Sequence, residues 1–317
     1  MLVGIDLGGT AVKAGLVDRK GNILAQSSIE TGVGRDYRLI VADMERQIED
    51  LVQGCGKDIK DIESIGIGAP GLMNYDSGYV IYCTNLFWNN IPLGVELQKY
   101  FKKPVYLEND ATVAGLAESL FGSTKNVPNS VFLTIGTGIG AGIIIDNRIY
   151  SGSHFAGSEI GHMIVGENFY TCNCGNNGCL ETFASATGMI KYVCHRLKGE
   201  KLKSLIPEKA GHKMENINAK LIFDSAREGD QLAEDAVDRM IKYLSIGIIN
   251  ISNILDPDII AIGGGVSKAG DFLIERLKEE TSKMYFTPNI KYGDIVLAQL
   301  GNEAGIIGAA FLGQDMK

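Results

Sequence analysis

The sequence predicts an α/β protein of two similar domains that flank a cleft, with a metal-binding loop inserted in the second. Three observations lead there. A strand-length apolar run ends in Gly8-Gly9-Thr10, and a second such run ends in Gly136-Thr137-Gly138. Each glycine turn leads into another apolar run that closes ten residues later, at Asp18 and at Asp146. Finally, Glu159 to Thr182 gathers three of the six cysteines and one of the four histidines. A repeat of this length marks a duplicated domain rather than a solenoid. Duplicated halves that face each other leave a cleft where ligands sit.

Taken in order, residues 2–7 form a strand, residues 14–18 a second, Gly21-Asn22 a turn and residues 23–29 a third strand. Asp36 to Gln53 carries Leu39, Ile40, Met44, Ile48, Leu51 and Val52 at helical spacing. Residues 62–68 read as a buried strand ending in Gly68-Ala69-Pro70-Gly71, and residues 105–107 as a strand ending in Glu108-Asn109-Asp110. A helix is expected over 111–121. The pattern then restarts, with strands at 131–135 and 142–146 and a turn at Asn147-Arg148. Helices follow over 183–229, a longer one over about 230–255 stopped by Asp256-Pro257, and a strand at 258–262 running into Gly263-Gly264-Gly265. A strand at 294–300 and a helix at 303–312 complete the second half. The first domain is drawn over 1–121 and the second over 122–302, with the cysteine loop at 159–182.

Composition narrows the class. The 317 residues suffice for two ordinary domains, with 45% hydrophobic and 21% charged residues. Net charge is −8 with no block of lysine or arginine, which argues against nucleic acid as the main partner. No signal or transit segment is read ahead of the first strand, and no apolar run is long enough to span a bilayer. A cytoplasmic protein is expected, with no membrane partner and with Cys55, Cys83 and Cys194 as reduced thiols. Its helical surfaces suit a homodimer or homotetramer.

Cys172, Cys174 and Cys179 fall within eight residues, and His162 lies ten positions before the first of them. Three thiolates and an imidazole are a full tetrahedral zinc set, with no position left for a metal-bound water. Disulfides and plain buried thiols are the competing readings. The first needs an oxidising compartment, and a C-x-C bridge is strained. The spacing favours a structural Zn2+ held by His162, Cys172, Cys174 and Cys179. Glu159 and Glu181 flank the site, and a stiffened loop offering two carboxylates and a histidine suits a polyhydroxylated ligand.

Elsewhere the residues alone leave alternatives open. The turns at Gly8-Gly9-Thr10 and Gly136-Thr137-Gly138 let backbone N–H groups approach phosphate; taken alone each is more simply an ordinary hairpin turn, and their recurrence in two related halves favours phosphate. Neither has Walker A spacing. Gly263-Gly264-Gly265 reads as a strand-to-helix turn. Lys13 is either a phosphate neighbour or a solvated strand residue. Taken alone, Asp110 is most simply the N-cap of the helix starting at Ala111. Trp88, the single tryptophan, reads as a core or interface aromatic.

G-x-E-x-G-H at 157–162 followed by C-x-C-G-x-x-G-C-L-E at 172–181 resembles the signature of the ROK family of sugar kinases, named for repressors, open reading frames and kinases. The resemblance extends over essentially the whole chain. It implies two actin/hexokinase-like, ribonuclease H-like domains, with the last helix, about 303–317, crossing back to pack on the first. It implies that Gly8, Gly9 and Thr10 in one domain and Gly136, Thr137 and Gly138 in the other grip the phosphates of ATP, with Lys13 nearby. Asp6 would stand near Mg2+, and Gly264 and Gly265 on the adenosine side. Glu159, His162 and Glu181 would contact the sugar, joined by Asn109, Gly71 of the G-A-P-G turn and Thr84 and Asn85 of a second loop. The E-N-D motif would make Asp110 the general base. The expected activity is ATP-dependent phosphorylation of the 6-hydroxyl of a hexose in carbohydrate metabolism, at the head of glycolysis. G-A-P-G, N-L-x-W and T-I-G-T-G-I-G are most similar to the family's glucokinases. N-acetylmannosamine, another hexose or an N-acetylhexosamine is the alternative substrate, and a sugar-sensing non-catalytic member the third reading. The family's repressors carry a helix-turn-helix ahead of the first phosphate strand, which here starts at residue 2.

Overall fold

The computed structural model describes residues 1–199 and 202–315. They form two compact units. The first comprises Met1–Phe132, Gly142–Ser158 and the segment from Gln299 onward; the second comprises Leu133–Ala141 and Glu159–Ala298.

In chain order the elements are β1 (Leu2–Leu7), β2 (Ala11–Val17), β3 (Ile23–Glu30), α1 (Tyr37–Gly54), β4 (Ser64–Ala69), β5 (Leu72–Asn74), β6 (Tyr79–Cys83), β7 (Trp88–Ile91), α2 (Leu93–Phe101), β8 (Val105–Asn109) and α3 (Asp110–Phe121). They continue as β9 (Ser130–Ile135), β10 (Ile139–Ile145), β11 (Arg148–Ile149), α4 (Leu180–Ala184), α5 (Ala186–Gly199), α6 (Ile206–Lys209), α7 (Ala219–Arg227) and α8 (Gln231–Leu255). The last are β12 (Ile259–Gly263), α9 (Asp271–Ser282), β13 (Asp294–Leu297) and α10 (Ala304–Asp315). One five-stranded sheet has the order β3-β2-β1-β4-β8, another the order β11-β10-β9-β12-β13. Once corresponding strands are matched the two orders are the same. The repeat read from the glycine spacing is thus a repeat of topology.

Alternation along β1 sorts its side chains between two layers. Val3, Ile5 and Leu7 join Ile40, Met44 and Ile48 of α1 in one core cluster. Leu2 joins Val113 and Leu116 of α3 and Ile306 and Ile307 of α10 in another. Gly4 lies on the α10 face and pairs with Gly15 on β2 and Gly66 on β4, so three glycines form a row across three strands. A Cβ on Gly4 would stand 1.9 Å from the Ile306 carbonyl oxygen, and one on Gly66 1.7 Å from that of Ala309. The row lets the helix backbone rest almost on the sheet. On the helix side, Gly308 lies so close to α3 that a Cβ would come within 1.7 Å of the Val113 carbonyl oxygen.

Several details differ from the sequence reading. β2 begins at Ala11 rather than residue 14, and β13 ends at Leu297 rather than residue 300. A three-stranded sheet, β5-β6-β7, and helix α2 occupy a stretch read only as loops. α3 begins at Asp110, one residue early, because Asn109 is its N-cap: the Asn109 amide oxygen accepts from the N–H groups of Ala111 at 2.9 Å and Thr112 at 3.3 Å. Asp110 is therefore the first helical residue and not the cap.

Glu118 of α3 is fully buried at 0% exposure. Its Oε1 accepts from the N–H groups of Gln299 at 2.9 Å and Leu300 at 2.8 Å. Oε2 accepts from the N–H of Ser123 at 2.7 Å and its hydroxyl at 2.8 Å. One carboxylate thus ties the segment leading into α10 to the end of α3. Glu118→Ala takes the acceptor from four part-buried donors and empties a buried site, and should lower stability by about 3 kcal/mol. A fall in the urea unfolding midpoint measures it, and an unchanged midpoint would contradict the clasp.

Candidate functional site

In the first unit the turn after β1 is closed by the Gly8 N–H donating to the Ala11 carbonyl at 2.9 Å. Buried Thr31 braces it. Its hydroxyl donates to the Gly8 carbonyl at 2.7 Å, and its N–H to the Thr10 carbonyl at 3.0 Å. Gly9 and Thr10 are exposed. Asp6 and Lys13 are register partners on β1 and β2, and the Lys13 ammonium pairs with the Asp6 carboxylate at 3.1 Å. Gly305 at the start of α10 sits against Asp6, where a Cβ would come within 2.9 Å of its carboxyl carbon.

Asp110 stands where β8 passes into α3, half-buried, its Oδ1 accepting from the Ala111 N–H at 2.8 Å. Asn109 serves two loops: its amide oxygen caps α3, and its amide nitrogen donates to the Gly71 carbonyl at 3.1 Å. Gly71 has φ +96°, and a Cβ there would lie 2.1 Å from the Tyr82 carbonyl oxygen. Only glycine fits that turn. Thr84 and Asn85 are exposed between β6 and β7, and the Asn85 Cβ lies 3.9 Å from where a Gly9 Cβ would be. Gly8, Gly9, Gly71, Asn85 and Asn109 thus share one end of the first sheet and its small neighbour. Trp88 is 4% exposed in the core, as a core aromatic should be.

In the second unit the ligand atoms of His162, Cys172, Cys174 and Cys179 all lie within 4.8 Å of one another. The Cys174 and Cys179 sulfurs are 3.5 Å apart, and the Cys172 sulfur is 3.8 Å from His162 Nδ1. A tetrahedral zinc with ordinary Zn–S and Zn–N bonds has edges of about 3.5–3.8 Å; these two separations match it, and the chemistry of three thiols and an imidazole suits the ion. Gly175 and Gly178 make the hairpin possible, with φ +93° and +94°; a Cβ on Gly178 would overlap the Gly166 carbonyl oxygen at 1.8 Å. Asn177 holds the hairpin to Asn168, and Asn168 in turn accepts from Arg239 at 2.8 Å and donates to Thr182. Burial and the neighbouring cysteines push the Cys179 thiol to about 12, while the Asn176 N–H holds Cys174 low. Three adjoining thiols resist ionising together unless a cation is present.

His162 turns Nδ1 to the cysteines and Nε2 toward the Glu159 carboxylate, 3.9 Å away. Burial, with the Glu181 carboxylate nearby, raises the Glu159 carboxyl above its ordinary value, and His162 offsets part of this. Glu181, at the start of α4, accepts from the Ile139 N–H at 2.9 Å. The Gly136 turn has open space where its Cβ would point, and so does Gly265. Gly264, at φ +80°, is pressed on the Ile135 backbone instead, with 2.5 Å between its Cβ position and the carbonyl oxygen. Gly136, Gly138, Gly161, Glu181 and Gly264 are therefore near neighbours through the Ile135–Ile139 backbone, and Glu159 and His162 stand on either side of Gly161 in the chain.

Glu108, Thr31, Asn168 and Arg239 are supports that sequence reasoning passed over. Glu108 stood in the E-N-D motif with no role assigned, and the others carried no motif. Glu108 is 4% exposed; it accepts from the Ser151 hydroxyl at 2.7 Å and the Asn109 N–H at 2.8 Å. Burial pushes its carboxyl above the ordinary 4.5, with both hydrogen bonds pulling it back. The folded chain thus holds this proton more tightly than the unfolded one. Its contribution to stability is complete below pH 4.5 and declines as pH rises through the elevated folded value. Glu108→Gln removes that decline, so thermal midpoints of variant and wild type should diverge in the variant's favour from pH 4 to pH 8. Parallel curves would refute the assignment.

A model of the ROK family matches residues 2–316. A glucokinase of Halalkalibacterium halodurans is 36% identical over 312 residues, spanning 98% of this chain and 94% of that protein. A glucokinase of Thermotoga maritima is 35% identical over 310 residues, 98% and 96% of the two chains. Among solved structures, a ROK family glucokinase from Streptomyces griseus in complex with glucose and AMPPNP aligns with TM-score 0.82 at 29% identity, over 98% of each chain. Family pattern, identity and two-unit α/β fold agree from one end of the sequence to the other, and the chain belongs to the ROK family.

Proposed function

We propose that this protein is an ATP-dependent hexose kinase that phosphorylates the 6-hydroxyl of glucose. The observation that carries the reading is its likeness to glucokinases over 94% and 96% of their lengths. The placement of Asp110 supports it. The side chain stands where strand β8 meets the start of helix α3, a rigid mount suited to a base.

In this reading Glu159, His162, Glu181, Asn109 and the Gly71 and Thr84–Asn85 turns hold the sugar. Asp110 accepts the proton of the 6-hydroxyl as that oxygen attacks the γ-phosphorus of ATP in line. The new O–P bond forms as the bond to the ADP oxygen breaks. The turns at Gly8–Thr10 and Gly136–Gly138 receive the phosphates through the backbone N–H groups not already engaged within the turns, and Gly264–Gly265 receive the adenosine side. Asp6 would hold Mg2+, which would spread the charge on the phosphates; Lys13 would release its present pairing to share that task. His162, Cys172, Cys174 and Cys179 would hold Zn2+, whose chemistry here is to fix the loop that orients Glu159 and Glu181. We place the enzyme in the cytoplasm, as a homodimer or homotetramer.

ADP release from Mg-ATP across a panel of hexoses and N-acetylhexosamines tests the reading. Glucose should give the highest kcat/KM, and Asp110→Asn should cut kcat about a hundredfold while glucose still binds. Preference for N-acetylmannosamine or another sugar would move the substrate and keep the chemistry. Full activity of Asp110→Asn would remove it as the base.

Metal analysis should find one zinc per chain. Cys174→Ser should lose the ion and raise the glucose KM about tenfold or more, with a smaller effect on kcat. Metal-free wild-type protein of full activity would exclude the structural ion.

A further inference from the structure

Glu181 is a sugar ligand in the proposed function, yet its carboxylate is already engaged with the glycine turn at Gly136–Gly138. Oε2 accepts from the Ile139 N–H at 2.9 Å, and a Cβ on Gly138 would come within 2.2 Å of that same oxygen. Gly138 is thus the residue that makes room for the carboxylate. Two neighbouring positions hold the turn as well. Gly161 lies against the Ile139 carbonyl oxygen, where a Cβ would approach to 2.2 Å, and the Ala186 N–H donates to the Gly136 carbonyl at 2.9 Å. All of these residues lie within the second unit. A carboxylate offers about four acceptor positions, so Oε1 remains able to accept a sugar hydroxyl while Oε2 keeps the Ile139 N–H.

We propose that Glu181 positions the nucleotide turn in addition to binding sugar, its carboxylate holding the Ile139 backbone so that ATP affinity depends on a side chain of the sugar loop. The inference rests on the kinase reading above. A residue that served sugar alone would leave nucleotide binding untouched when altered. A residue that holds the turn would not.

The test is calorimetric titration of the full chain with AMPPNP and Mg2+ in the absence of sugar, for wild type, Glu181→Ala and Glu181→Gln. Glu181→Ala should weaken AMPPNP about tenfold, the loss of one hydrogen bond to a charged acceptor. Glu181→Gln keeps an amide oxygen for the Ile139 N–H and should recover most of that affinity, while both variants bind glucose poorly. Equal AMPPNP affinity in all three overturns the proposal and leaves the kinase reading standing. Failure of wild type to bind AMPPNP overturns both. Should Glu181→Ala not fold, Gly138→Ala probes the same contact from the other side. Its methyl displaces the carboxylate, so glucose affinity should fall about tenfold although the substitution is in the nucleotide turn; unchanged glucose affinity overturns the proposal.

Discussion

The first unit depends on the close seating of α10 on a row of three glycines. Gly15, Gly4 and Gly66 are aligned by strand pairing, and they let the Ile306 and Ala309 carbonyls come within reach of the sheet backbone. A single methyl on that row would lift the helix and cost several kcal/mol of packing. From this seat two further placements follow. The start of α10 meets Asp6 through Gly305, and its middle meets α3 through Gly308. α3 begins with Asp110. The mount of the candidate base is therefore set by glycines two elements away from it.

The halves share a topology but stabilise their glycine turns by different means. Thr31, at the end of β3, braces the first turn. In the second half β11 has only two residues, and the bracing comes from Gly161, Glu181 and Ala186. The cysteine hairpin buries little apolar surface: residues 173–177 are all exposed. Its order comes from the hydrogen bonds of Asn168 and Asn177, beside which the three sulfurs and the imidazole converge. Arg239 adds support from α8, lying 4.6 Å over Phe183 and 5.1 Å over Tyr243. Polar contacts here order a loop whose tip buries no apolar surface.

Much of this was legible from residue order. Strands β1, β4, β9 and β12 are apolar runs closed by glycines, and α1 and α8 repeat their apolar residues at helical spacing, so pattern alone found them. The cysteine spacing anticipated a four-residue cluster that the fold brings together. The β5-β6-β7 sheet escaped because its strands have three to five residues and little alternation. α2 escaped because it has nine residues and Pro92 where a capping side chain would signal a start. The boundary at Asp110 turned on which of two adjacent cap-forming residues wins, and the longer reach of Asn109 to two N–H groups decides it. The glycine row was invisible for another reason. Its members are 11 and 51 residues apart, and nothing local says that they share a face until the register is known.

The order of synthesis gives α10 another significance. The second unit's main segment, Glu159–Ala298, is continuous, and it emerges before the helix that completes the first unit. On a ribosome adding about 5–20 residues per second, β1 through β8 wait for the later half to be made before their glycine-lined face is covered. Until then that face is open, and Leu2, Val113 and Leu116 stand without their partners on α10. The half of the protein that is made first is the half that finishes last. Loss of α10 would leave that glycine-lined face and its apolar neighbours exposed.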